Sequence, residues 1–457
     1  MSPIVTEVEY MCLDNRQHIL EEADNLEKKI TVMKTAFELI PPGAIKDKKD
    51  YVTFYLNLSR TNEDVVSYLV DGRTAFLINQ PEHAEYVLVK NQSNYKNPYH
   101  QYAELTGQYT PTGAFLLNLD RSSGNQVEIF ESIVSELAKA ATVTVWQWQK
   151  CSKVAPIQID TETKKMMFAV YVKILFNVDA NHWSEAFVSA TNFIEEYCAN
   201  QSHLSQNLSA TELVPIKQSY QEAIEVQNAI AGRIARCAGL VAPDSEVSKQ
   251  LKTTIVRTLL NSYNGMATAL CWIIYQLVQC QEVLERVFSE VDRVIGDRQP
   301  TAKDIPKLSY MRLVVMEVLR LYPPAWMLGR QAINPDRIGD TLIPPGAIIS
   351  ISPYTMHRKA QLWERPKDFI PERFAPENSQ VRPNFAYFPF GGGTRKCPAG
   401  QLVFSQIQII LAAMLRLCSF ESASNEVLKP RGLVSLRPHP GVLMRITANK
   451  QGVVSGE

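Results

Sequence analysis

Residues 388–400 read Phe388-Pro389-Phe390-Gly391-Gly392-Gly393-Thr394-Arg395-Lys396-Cys397-Pro398-Ala399-Gly400, and apolar helical periodicity follows from Gln401 to Leu417. Consecutive glycines let a backbone turn tightly and lie close against a flat surface. Arg395 and Lys396 place positive charge beside Cys397, which favours its thiolate. A helix starting just beyond the cysteine adds free N–H groups and the positive end of its dipole. A thiolate so placed is a nucleophile or a metal ligand. The competing reading is a loop that cradles a phosphate at a helix N-terminus. That loop needs Lys followed by Ser or Thr after the glycines, and here Lys396 is followed by Cys397.

The surrounding chain is that of a large globular protein. It has 457 residues, 46% hydrophobic and 21% charged, with Lys+Arg and Asp+Glu both at 47. A zero net charge without a basic stripe argues against a nucleic-acid partner. The eight cysteines are scattered, with no C-x-x-C spacing, and read as reduced thiols in a cytoplasmic protein. Buried small hydrophobe is the reading for each of them except Cys397. The opening segment carries Glu7, Glu9, Asp14 and Arg16 and lacks the apolar core of a secretory signal. No stretch reads as about 18 uncharged apolar residues, so no transmembrane anchor is expected. The nearest, Leu259 to Cys280, is interrupted by Asn261, Asn264, Gln276 and Gln279 and reads as a helix buried in a large core.

Along the chain, Leu20 to Ile40 predicts an amphipathic helix that ends at Pro41-Pro42-Gly43. Asp64 to Val70 predicts a short helix, Arg73 to Ile78 a strand, and Glu82 to Leu88 a helix. Asn97 to Asp120 predicts a long loop rich in Tyr, Thr, Gly and Pro, of the kind that often carries function. Helical periodicity dominates from Val127 to about Gly239, with breaks near Cys151–Pro156 and Gln201–Ser209, and again from Val247 to Leu321. Short β-branched runs such as Ala347 to Ile351 then alternate with Pro- and Gly-rich turns and predict a small late sheet. A hairpin closes the pattern near Pro430–Gly441. The fold class is mainly α with minor β.

Phe390, Gly393, Arg395 and Cys397 fall on the fixed positions of F-x-x-G-x-R-x-C-x-[GA], with Ala399 at the last. The segment resembles the haem-binding signature of the cytochrome P-450 superfamily. Glu317-x-x-Arg320 resembles that family's E-x-x-R helix. As residues alone, such a pair is an ordinary i,i+3 ion pair of small value. Phe369-Ile370-Pro371-Glu372-Arg373-Phe374 resembles its P-E-R-F segment. The resemblance runs from about Glu63 to Leu443. It implies the cytochrome P-450 fold, a helix-rich haem domain with a small β subdomain. The cofactor would be haem b with Cys397 as axial thiolate ligand, a ligand that favours O–O cleavage. Arg395, Arg330 and His357 are placed by it on the propionate side, and Phe390 against the sulfur. Glu317, Arg320 and Arg373 would form a structural charge cluster. Residues 1–45 are then an N-terminal helical extension and 46–457 a single haem-thiolate catalytic domain.

Two departures bear on function. The family pattern [AG]-G-x-[DE]-T is met by Asn264-Gly265-Met266-Ala267-Thr268, so the acid is replaced by Ala267, which cannot carry a proton. Thr268 retains a hydroxyl that can position a water; its plain structural role would be a bond back to a helix carbonyl. The W-x-x-x-R that donates to a propionate is missing near 120–126, where Arg121 is the nearest substitute. The resemblance therefore implies a monooxygenase fed with protons by another route, such as Asn264. The alternatives are oxidative coupling between aromatic rings, dehydration or rearrangement without oxygen insertion, and a non-catalytic haem-binding sensor. Tyr109, Phe115, Tyr263, Met266, Trp326 and Leu433 would line a pocket for a hydrophobic, aromatic or flat small molecule; as residues alone they are equally core. Electrons would come from a separate ferredoxin or flavodoxin with its reductase, or peroxide would replace them.

Overall fold

The computed structural model describes residues 50–70, 73–98, 126–207, 209–378 and 382–449. The expected helix at 20–40, most of the loop after Asn97, Arg121, Tyr109 and Phe115 lie outside the described residues. Two compact units are present, one containing 180–256 and the other 49–179 with 257–457. The sequence reading has one catalytic domain over 46–457.

Numbering elements along the chain, the helices are α1 Tyr51–Leu58, α2 Pro81–Glu85, α3 Gln126–Ser152, α4 Ile159–Phe176, α5 Ser184–Asn207, α6 Ala210–Cys237, α7 Lys249–Gln279, α8 Gln281–Val294, α9 Ser309–Leu321, α10 Pro353–Met356 and α11 Gly400–Leu417. The first unit holds α5, α6 and the start of α7. Its α5 and α6 pack on each other, with Tyr197 and Tyr220 stacked at 4.3 Å and Gln227 donating to Thr191 at 2.9 Å. Ser209 caps the start of α6 and exchanges bonds with Glu212.

In the second unit α11 is the central helix. Its residues from Ile407 to Leu415 are nearly all buried, and α3, α8 and α9 pack on it. By length and composition the 25 residues Gly393–Leu417 could cross a membrane, which the sequence reading did not anticipate. In this structure 61% of their most apolar window is buried in the protein. Among the described residues, four sheets complete the unit. The largest joins β1 Val65–Val70, β2 Arg73–Ile78, β8 Ile348–Ile351, β5 Leu328–Ala332 and β3 Tyr95–Lys96, in that order. The others pair β4 Ile157–Gln158 with β12 Leu443–Ala448 and β9 Cys418–Ser422, β6 Asp336–Ile338 with β7 Thr341–Ile343, and β10 Lys429–Gly432 with β11 Leu436–His439. The mainly α class with minor β holds.

One element differs in kind. Residues 65–70 form a strand where a short helix is expected. Val65-Val66-Ser67-Tyr68 is rich in β-formers, and the run pairs antiparallel with β2 from Val65↔Ile78 to Val70↔Arg73. Tyr68 Oη then reaches Ser350 Oγ of β8 at 2.6 Å, a contact 282 residues away that local periodicity cannot show.

Candidate haem-thiolate site

Cys397 sits at the junction of a closed loop and α11. Its N–H donates to the Phe390 carbonyl at 2.9 Å, and Lys396 N donates to the Gly393 carbonyl at 3.1 Å. Gly391 and Gly393 take φ +73° and +70°, the left-handed region that glycine enters without strain. A Cβ on Gly393 would also lie 1.8 Å from the Leu88 carbonyl oxygen. That oxygen belongs to the π-helical turn Tyr86–Lys90, so the two turns are in close backbone contact. Gln92 Oε1 accepts from Thr394 N at 2.9 Å and Thr394 Oγ1 at 2.8 Å. Phe390 lies across Gly400, and its ring meets Phe404 edge-on at 5.4 Å.

The charge beside the sulfur acts less strongly than its sequence implies. Burial pushes the Cys397 thiol up, the Ala399 N–H and the Lys396 charge pull it down, and the balance is upward. Arg395 is not among the groups that lower it. Its guanidinium donates to the Tyr95 carbonyl at 3.3 Å instead. Tyr95 is in β3, which pairs with β5, the strand of Arg330. The two expected propionate-side arginines are thus attached to the same pair of strands, Arg330 buried with Nη1 on the Gly329 carbonyl at 2.8 Å.

Glu317, Arg320 and Arg373 do converge. Arg320 grips Glu317 with Nε at 2.7 Å and Nη2 at 2.8 Å, and Arg373 Nε donates to Glu317 Oε1 at 2.9 Å. Ile370 N adds a fourth donor at 2.9 Å. The remaining guanidinium N–H groups bind the carbonyls of His357, Glu364, Arg365, Pro366 and Asp368. The Glu317–Arg320 spacing, which as residues alone is an ordinary ion pair, is here part of a buried network with Arg373 that holds the backbone from 357 to 370.

His357 belongs to this network, not to an open propionate side. Phe388 N donates to its Nε2 at 3.0 Å, so the ring proton is on Nδ1, which faces the Arg320 carbonyl at 3.2 Å. Burial first, and the Arg320 charge second, hold its pKa well below the usual range, and the ring is neutral. It couples the charge cluster to Phe388, the first residue of the cysteine loop.

The middle of α7 is built differently. Gly265 lies near Pro324, and Asn264, Met266, Ala267 and Thr268 are all buried. Ala267 is fully enclosed, with Thr163 Oγ1 of α4 3.4 Å from its carbonyl. Thr268 Oγ1 donates to Ser435 Oγ at 3.2 Å. Tyr263 packs edge-on against Phe168 at 6.0 Å. The Tyr171 hydroxyl donates to Gln406 Oε1 at 2.8 Å, and Met266 Sδ lies 3.9 Å from the same oxygen. Trp326 and Leu433 come together, Trp326 Nε1 donating to the Leu433 carbonyl at 2.9 Å. Ser435, Tyr171 and Gln406, and Trp272 of α7 itself, were not singled out from the sequence. No motif marks them, and only the tertiary fold brings the first three to this helix.

Among the described residues, no group of three His, Cys, Asp or Glu side chains could hold a bare metal ion. A lone thiolate on a glycine-rich loop is the donor set for an iron whose other positions a porphyrin ring fills. The residues present fit a haem.

Residues 244–445 match the family model for cytochrome P-450. Cyclooctatin synthase of Streptomyces melanosporofaciens is 34% identical over 197 residues, 43% of this chain and 42% of that protein. Protein LUTEIN DEFICIENT 5, chloroplastic, of Arabidopsis thaliana is 36% identical over 187 residues, 40% of this chain and 31% of that protein. Carotene epsilon-monooxygenase, chloroplastic, also of Arabidopsis thaliana, is 30% identical over 213 residues, 46% of this chain and 40% of that protein. The chain thus spans less than half the length of these relatives.

Proposed function

We propose that this chain, which belongs to the cytochrome P-450 superfamily, is a haem-thiolate monooxygenase acting on a hydrophobic small molecule. The observation that carries the reading is the joining of the Glu317–Arg320–Arg373 cluster to the Cys397 loop through His357. A loop held on both its flanks presents one sulfur in one direction. Cys397 would hold the iron of haem b, and Arg395 and Arg330 would bind its propionates. A haem with a thiolate ligand supplies activation of dioxygen. Thr268, Gly265 and Asn264 face that chemistry from α7, with Ala267 as the gap in proton supply.

The apolar and aromatic side chains near this turn, Tyr263, Met266 and Trp326, support a hydrophobic substrate. One relative is named for action on carotene, which fits a hydrophobic substrate. Electrons would come from a separate carrier protein or be bypassed by peroxide, in a cytoplasmic enzyme. Oxidative coupling of aromatic rings, without oxygen insertion, is the second reading, raised by the departure at Ala267, although it too would need protons delivered by another route.

The test is product analysis under heavy-isotope dioxygen, preceded by the ferrous–CO spectrum. The expected results are a red-shifted Soret band and a singly labelled product. An unlabelled dimer or dehydrated product selects the second reading, and a protein that binds haem without the shifted band overturns both. Ala267→Asp is expected to lower the share of electrons lost as hydrogen peroxide; an unchanged share would show that the missing acid does not limit coupling.

A further inference from the structure

We infer that Ser435 is the positioning residue for Thr268, fixing the direction of its hydroxyl on the turn where Ala267 replaces the acid. The inference rests on the oxygen-activating reading above and deepens it at one pair of atoms.

Several helical threonines of this protein spend their hydroxyl hydrogen on their own helix. Thr142 donates to the Ala138 carbonyl, Thr163 to Ile159, Thr191 to Phe187, Thr253 to Lys249 and Thr254 to Gln250, each one turn back. Thr268 does not follow them. Its hydroxyl crosses to Ser435 Oγ at 3.2 Å, with both residues buried to 3% and 4% exposure. Ser435 lies between β10 and β11, 167 residues further along the chain.

The hairpin tip is fixed from both sides. Trp272, one turn after Thr268 on α7, donates Nε1 to the Leu436 carbonyl at 2.6 Å. Leu436 N donates to the Pro324 carbonyl at 3.1 Å, Trp326 Nε1 to the Leu433 carbonyl at 2.9 Å, and Leu433 N to the Ser435 carbonyl at 3.1 Å. Gly432 admits the Trp326 ring so closely that a Cβ there would lie 2.3 Å from it. The hydroxyl that meets Thr268 is therefore placed by several bonds that do not involve Thr268.

A hydroxyl has one hydrogen and two lone pairs. Thr268 is the donor of this pair and Ser435 the acceptor, so the Thr268 hydrogen is held toward the hairpin and its lone pairs are left as acceptors. A threonine bonded to its own helix carbonyl would hold that hydrogen in another direction. Neither hydroxyl ionises near neutral pH, so the device works by orientation and not by titration.

The test uses the haem-loaded protein, and its first readout is the C–O stretching band of the ferrous–CO form, which senses hydrogen bonding on the α7 side. Ser435→Ala is expected to shift or broaden that band as Thr268 falls back to the Asn264 carbonyl. Hydrogen peroxide released per electron pair should rise roughly two- to tenfold, the range for loss of one neutral hydrogen bond. Ser435→Thr should restore both. The double variant Thr268→Ala, Ser435→Ala should be no worse than Thr268→Ala alone, because the two act as one unit. The unfolding midpoint of each variant checks that the hairpin is intact; if Ser435→Ala disturbs it, the comparison of Ser435→Thr with Ser435→Cys decides. An unchanged C–O band in Ser435→Ala, or fully additive effects in the double variant, overturns the inference while the function above stands. A wild type without the shifted Soret band overturns that function and this inference with it.

Discussion

Glu317 is held by two guanidiniums and a backbone N–H, all at 2.9 Å or closer, while Thr268 is held by a single hydroxyl at 3.2 Å. Both lie in the second unit and both are buried. The first arrangement is rigid because every partner is charged or fixed backbone. Taking ions out of water is costly, and the network returns that cost only while all its members are present. The second arrangement is neutral and can rearrange by turning a hydroxyl. The cysteine side is thus built to hold one geometry, and the α7 side to permit more than one. Damage to the first should read out as lost haem ligation and lost stability, and damage to the second as altered chemistry in a protein that still folds.

The sharpest break of that contrast is at the sulfur. Cys397→Ala should abolish the red-shifted ferrous–CO band completely, whereas Cys271→Ala, buried on α7, should leave it in place. The reverse pattern would invert the assignment of the two sides. Next in size is Glu317→Ala, which strands two buried guanidiniums. Urea unfolding should show a loss of about 3–5 kcal/mol, the range for breaking a buried ion pair from one side. A loss under about 1 kcal/mol would place the pair in the class of surface ion pairs. Thr268→Ala should cost far less stability than Glu317→Ala.

A third test uses pH. His357 is neutral in the folded protein because its pKa is depressed, while in the unfolded chain it takes the ordinary value near 6.5. Above that value neither state binds the proton and His357 contributes no slope. As pH falls below it, only the unfolded chain gains the proton, and stability drops by about 1.4 kcal/mol per pH unit. His357→Gln should be less stable at neutral pH yet lose this component of the slope. An unchanged slope below pH 6.5 would mean that the ring is protonated in the fold, which would contradict Phe388 N donating to Nε2.

The same contrast explains what the sequence made legible. The cysteine loop reads out in thirteen contiguous residues because glycine geometry, a thiol and a helix start are all local. The Glu317–Arg320 spacing is local too, but its burial is not: the same spacing on a surface helix would be a weak pair, and only Arg373 and the 357–370 backbone make it a network. Asp64 to Val70 reads as a helix because seven residues carry too little periodicity to tell period 3.6 from period 2, and pairing with β2 decides the matter. The thiol of Cys397 was expected to be lowered by its neighbours, yet the burial that outweighs Lys396 is a property of the packed fold. On the α7 side the signature residues were legible by resemblance, Ala267 included. Ser435 was not, since nothing within the hairpin marks it as facing Thr268.

The smallest expected effect separates the two sides most finely. Trp272→Phe keeps an aromatic ring against Tyr322, on which the indole stacks at 3.9 Å, and removes the N–H that binds the Leu436 carbonyl together with part of a fully buried ring. The hydrogen bond is worth about 1 kcal/mol and the cavity costs about as much again, so the loss of stability should stay below that of Glu317→Ala and the ferrous–CO band should keep its position. The clamp on the hairpin is loosened nonetheless. If Ser435 depends on that clamp, the C–O stretching band should broaden and peroxide release should rise, by less than in Ser435→Ala. A Trp272→Phe protein that loses stability on the scale of Glu317→Ala would show instead that the α7 side is as rigid as the cysteine side, and the contrast between them would fail.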